Sequence, residues 1–173
     1  MVNVLGKAQE ISQIGKSIRE KQKNISVIEV FYTWDILTSK YDLTESTEKF
    51  MHYADDAGLK LVMGQILKLI RQGITTCENL LEEYGVPFPP RPPEVTKGAT
   101  EIESITNNYI YNSSFDGLQM IIPVLTTAYM LSTSPQVRGD FRNILDDHLN
   151  VYSEVLEYGK LKDYIQDAPI YMR

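Results

Sequence analysis

The chain has little of what secretion, metal chemistry and nucleic-acid binding draw on. Cys77 is its one cysteine among 173 residues, so an intramolecular disulfide is excluded and a reducing compartment is the default. Two histidines, His52 and His148, leave few strong ligands for a transition metal. No apolar run approaches the roughly 18 residues that a membrane span needs, so no membrane span is expected. Met1 to Lys23 lacks the continuous apolar stretch of a secretory signal, so the chain is expected to be cytoplasmic rather than secreted. There is no basic stripe either. With a net charge of -6, no nucleic-acid partner is expected, because such binding rests on displacing counterions. The most basic stretch, with Lys16, Arg19, Lys21 and Lys23, reads as a solvated helix face or tail.

What is present is helical periodicity. Apolar residues make up 43% of the chain, which excludes disorder and suffices for one domain with a core. Val4, Ala8, Ile11, Ile14 and Ile18 suit a weakly amphipathic helix over about 3–23. It packs on the body of the protein, on a partner, or on nothing. Ser26, three residues before Glu29, predicts a capping box that opens a long helix to Tyr53. Val27, Phe31, Trp34, Leu37, Tyr41 and Thr44 form its expected core stripe. Its second half turns polar on every face, which means a less buried stretch or a bend. An aspartate at 55 or 56 caps a second helix over about 57–84, with Leu59, Val62, Ile66, Leu69, Gly73, Cys77 and Leu80 on one stripe. Gly85 is its natural terminator. A third helix is expected from Thr100 or Glu101 to Ser132, kinked at Pro123, and a fourth from Ser134-Pro135 to Gly159.

Between the second and third helices lies a proline strap, Gly85-Val86-Pro87-Phe88-Pro89-Pro90-Arg91-Pro92-Pro93. A helix of about 28 residues is about 42 Å long. A connection of about 15 residues in polyproline geometry reaches about 46 Å. The strap can therefore run the length of the bundle and start the third helix parallel to the second, which is the threading of a ferritin-like bundle. The same prolines satisfy a P-x-x-P spacing around Arg91, the alternative being a docking segment for a partner's aromatic groove.

Trp34, the helix ending Leu80-Leu81-Glu82-Glu83-Tyr84-Gly85-Val86-Pro87-Phe88-Pro89-Pro90 and the close from Tyr152 to Gly159 carry a family resemblance. The chain resembles the spore-coat-like ferritin-fold proteins of endospore-forming bacteria, related to spore coat protein F, over about 25–170. The resemblance implies a four-helix bundle and spore association, with coat proteins or a second copy as partners. It supplies no catalytic residues. Relatives of this kind often carry a histidine where this chain has Gly73.

The expected fold is all-α: a ferritin-like four-helix bundle over 25–173 with one long crossover at 85–100, an N-terminal extension over 1–24 and a tail from 160. A carboxylate-bridged di-metal site in such a bundle takes Glu-x-x-His on two helices. Here Lys49 precedes His52 and Leu145 precedes His148, so neither motif exists and no metal or other cofactor is expected. His148 shares a stripe with Phe141, Ile144, Tyr152 and Val155 and should point inward. A buried layer of Tyr41, Asp116 and His148 is then expected, as a polar network fixing helix register, a small-ligand pocket, or a lone metal site. Gly73 opposite leaves space for a ligand or lets helices approach closely. Cys77 reads as a buried, inert thiol. The functional expectation is a non-enzymatic, spore-associated structural or interaction protein that forms a homodimer. The alternative is a small-molecule-binding bundle with a pocket around His148 and Asp116.

Overall fold

The computed structural model describes residue 8 and residues 11–12, 14–92 and 105–165. Gly15, at φ 81°, breaks the expected helix over 3–23, so Ile11, Ile14 and Ile18 do not form one continuous helical face; Val4 lies outside the described residues. After this turn Ser17 and Glu20 form their own capping box and open a single helical turn, α1 (Ile18–Lys21). It lies against the bundle. Gln22 Nε2 donates to the Tyr84 carbonyl at 2.9 Å, and Lys21 reaches Glu83 at 3.5 Å.

Four long helices follow: α2 (Val27–Tyr53), α3 (Ala57–Glu83), α4 (Asn107–Leu131) and α5 (Pro135–Leu161). Each starts where a short polar side chain can accept a backbone N–H that the first turn leaves unpaired. Ser26 and Glu29 form the capping box of α2, Asp56 accepts from the Leu59 amide, Thr106 from Tyr109, and Ser134 from Val137. α3 ends on Gly85 at φ 63°, with the Val86 amide bonding to the Leu81 carbonyl and the Gly85 amide to Glu82. α4 opens at Asn107, later than expected; positions 100 and 101 lie outside the described residues. It runs on through Pro123.

The direction of each helix is read from its ends. The Asp55 amide in the α2–α3 turn donates to Asn107 Oδ1 at 2.9 Å, so α4 begins at the end where α3 begins. The Ser134 amide in the α4–α5 turn donates to Glu29 Oε1 at 2.7 Å, beside the start of α2. α3 and α4 are therefore parallel. They face each other across the diagonal, while α2 packs along α3 and α4 along α5. This is the ferritin-like threading that the strap predicted. The strap doubles back from Gly85 along the bundle: Arg91 bonds to Glu78 at 2.5 Å and lies 5.0 Å from the centre of the Tyr41 ring. Glu78 sits about 10 Å down α3 from Gly85, at 1.5 Å per residue.

The interior is not one apolar column. One cluster, around Leu37, Leu80, Tyr84, Leu125 and Phe141, fills the end where α2 begins. A second, around Leu59, Met63, Ile110, Tyr111 and Val155, fills the other end. Gly73 on α3 falls in sequence between Ile70 of the second cluster and Cys77 of the first. Lys40 on α2 and His148 on α5 lie at the same level, and both are buried. A polar layer thus separates the two cores.

The outer face of α2 corrects the sequence reading. Val27, Phe31 and Trp34, expected on the core stripe, are 88%, 56% and 40% exposed. The buried positions are Glu29, Thr33, Ile36, Leu37, Lys40, Tyr41 and Thr47. Gly159 is corrected too. It lies inside α5, which continues to Leu161 and closes on Asp163 at φ 56°. Gly64, halfway along α3, has nothing within 4 Å of where a Cβ would project. Gly64→Ala is expected to raise stability by about 0.5–1 kcal/mol, the helical cost of glycine, as read by chemical denaturation.

Candidate functional site

The middle layer holds a buried lysine. Lys40 is 1% exposed, and its Nζ lies 3.2 Å from His148 Nε2. The tautomer of His148 follows from its other nitrogen. Nδ1 is 2.7 Å from the Ile144 carbonyl, an acceptor only, so Nδ1 carries the proton and donates. Nε2 is left with a lone pair, and the Lys40 ammonium donates to it. Burial, then the neighbouring Lys40 charge, holds His148 down at about 3, so its ring is neutral at ordinary pH.

Lys40 reaches this place because α3 has no side chain opposite. A Cβ on Gly73 would lie 2.4 Å from Lys40 Cε and 2.7 Å from Nζ. The space that glycine leaves is filled by the lysine stem, not by a ligand and not by close helix packing. Burial lowers the Lys40 ammonium from its ordinary 10.5 to about 8. Cys77, one turn along α3, is driven the other way, to about 12, chiefly by burial. A thiol that remains protonated is a poor nucleophile, as its place on the apolar stripe implied.

The depressed lysine makes stability depend on alkaline pH. Between about 8 and 10.5 the unfolded chain holds more protons on this group than the folded one. Stability therefore rises with pH across that window and the contribution is flat below it. Urea titrations of the wild type against Lys40→Met at pH 7.5, 9 and 10 are expected to show the wild type gaining on the variant at each step. A constant difference would show that Lys40 is not buried as a cation.

The three residues expected to share a polar layer do not converge. His148 is in it. Asp116 is exposed on α4, because the buried face of that helix is set by Tyr111, Phe115 and Leu118. Tyr41 is buried but faces the strap, donating to Glu78 at 2.5 Å under the Arg91 guanidinium. Burial and then that hydrogen bond raise its phenol. Tyr41 is thus the seat of the crossover. The residue that sequence reasoning missed is Lys40. Its signal was present: it follows Ile36 and Leu37 by four and three, the spacing of one helix face.

Beside the pair lies a cavity of about 50 Å³, between α2 and α4, lined in part by Lys40, Thr47, Ile70, Ser113, Leu118 and His148. Its rim residues Leu43, Ser46 and Phe50 are half-buried, which accounts for the polar second half of α2: it is continuous but loosely covered. Among the described residues no three His, Cys, Asp or Glu side chains are grouped as metal ligands. No described helix is long and apolar enough to cross a membrane.

Comparison with known proteins places this architecture. A candidate spore coat protein from Bacillus halodurans C-125, solved by crystallography, is similar over 86% of this chain and 96% of its own, with a TM-score of 0.77 and 19% identity. A two-domain protein from Anabaena variabilis with DJ-1/ThiJ/PfpI-like and ferritin-like domains is similar over 86% of this chain and 41% of its own, with a TM-score of 0.64 and 15% identity. At such identities the likeness is one of fold. No curated protein sequence matches. The profile of a family described as protein of unknown function matches residues 13–173, and the chain accordingly belongs to that family, DUF3231.

Proposed function

We propose that this chain is a non-enzymatic, spore-associated structural or interaction protein, related to spore coat protein F, that assembles through the outer face of α2. The observation that carries the reading is the inversion of that helix. Its core side bears Glu29, Thr33, Lys40 and Thr47, while Val27, Phe31 and Trp34 stand outward at helical spacing. An exposed row with two aromatic residues is what a binding surface carries, since aromatic anchors dominate interface energetics. The fold-level likeness to a candidate spore coat protein supports the setting. The partner that fits first is a second copy, because an isologous pair of α2 faces would cover both rows at once; coat proteins are the other class.

Two measurements test this. Light scattering of the full chain is expected to give a dimer at tens of micromolar, and Phe31→Glu with Trp34→Glu a monomer of unchanged helicity. A tagged copy followed through sporulation is expected to be retained in the spore, with the same double variant lost from it. A wild-type monomer absent from spores would end the reading.

A further inference from the structure

We propose that the cavity beside Lys40 and His148 is a binding site for a short-chain monocarboxylate, its carboxylate seated on the Lys40 ammonium. The argument starts from charge. Lys40 is buried, and among the described residues no carboxylate pairs with it. The groups that face it are Cys77 from α3, a neutral thiol, and His148 from α5, a neutral ring. α4 presents only the Ser113 and Ser114 hydroxyls at this level of the cavity. A buried ammonium without a counter-ion is costly, and an anion taken from solution removes that cost.

Geometry says where the anion would sit and how large it is. His148 Nε2 engages one N–H of the ammonium. Gly73 and the α3 backbone close its other flank. The cavity is the remaining side. Its volume of about 50 Å³ exceeds the roughly 10–15 Å³ that one water requires, and suits a molecule of a few heavy atoms. Thr47 and Ser113 line it with hydroxyls for which no described group is a partner, so both can donate to a carboxylate oxygen. Ser46 and Ser114 also line it, but their hydroxyls donate to the Leu43 and Ile110 carbonyls of their own helices; the remaining wall, with Ile66, Ile70, Leu118 and Ile121, is apolar and matches a short alkyl tail better than a hydrated inorganic ion. Gly117 leaves open space on the α4 side, with nothing within 4 Å of a Cβ position.

The site is independent of assembly through α2 and is tested apart from it. The full-length chain is melted at constant ionic strength in gluconate, an anion too large for the cavity, with added sodium acetate, sodium butyrate or sodium chloride. Acetate or butyrate is expected to raise the wild-type Tm by about 5–10 °C at a hundred times Kd. Lys40→Met, which keeps the stem, and Gly117→Leu, which keeps the lysine and fills the space, are expected not to respond. In parallel, the Lys40 ¹³Cε resonance of the wild type is followed through pH. Its midpoint is expected to move upward with acetate, since a bound anion favours the ammonium. That measurement needs no variant to fold. An unmoved midpoint, an equal Tm response of the wild type and both variants, or a chloride response equal to that of the carboxylates would each overturn the assignment.

Discussion

Gly159→Ala is expected to destabilise the fold by about 3 kcal/mol, the upper part of the range for overpacked cores. Gly159 faces Tyr111 across the α4–α5 seam, and a Cβ there would lie 2.0 Å from the phenol oxygen and 2.3 Å from Cζ. Tyr111 has nowhere to go. It is fully buried, its hydroxyl donates to the Val155 carbonyl at 3.0 Å, and its ring stacks on Phe115, which stacks in turn on Tyr152. Within a helix alanine is otherwise worth up to about 1 kcal/mol over glycine, less in a last turn such as this one, so the expected net loss is the steric term less that gain. Thermal melting should show a drop of about 5–10 °C for a domain of this size. Tyr111→Phe removes the nearest clashing atom, and the double variant is expected to recover part of the loss although Tyr111→Phe alone is destabilising. If Gly159→Ala proved neutral, the close approach of α4 and α5 at this point would be wrong.

The second large effect lies in the middle layer. Gly73→Ala is expected to cost about 2–3 kcal/mol in the wild type, because the new methyl would occupy the position of the Lys40 stem at 2.4 Å. The lysine would have to abandon its bond to His148, leaving a buried ring nitrogen unpaired. In a Lys40→Ala background the same substitution is expected to stabilise by about 1 kcal/mol, since the site is then an empty helical glycine. The sign reverses, and the coupling between the two positions is about 3–4 kcal/mol, at or above the top of the range for residues in contact. A double-mutant cycle by urea denaturation measures it. Additivity of the two substitutions would refute the contact.

These two glycines show what the sequence could and could not disclose. Signals that act over a few residues were legible: Ser26 with Glu29, Asp56, Ser134-Pro135 and Gly85 all sit where local backbone chemistry places them. The parallel course of α3 and α4 followed from chain length alone. Gly159 was misread because a glycine near a helix end signals a terminator, and only a tertiary neighbour reveals that it admits Tyr111. The faces of α2 were misassigned for a related reason. Periodicity ranks faces by apolar content, and here the inward face carries an acid, two threonines and a lysine. Asp116 was expected in the layer, but the buried face of its helix, set by Tyr111, Phe115 and Leu118, turns it outside. Lys40 escaped notice because a lysine in a polar stretch ordinarily marks solvent.

The fit of Lys40 into the gap left by Gly73 also constrains how this layer can change over generations. A chain that acquires any side chain at 73 while Lys40 is in place meets the steric penalty at once, so the lysine must be lost first. Once a side chain has settled at 73, reintroducing a lysine at 40 meets the same collision from the other direction. The pair therefore fixes an order of events: on leaving the arrangement the lysine goes before a side chain arrives at 73, and on returning to it the glycine comes back before the lysine.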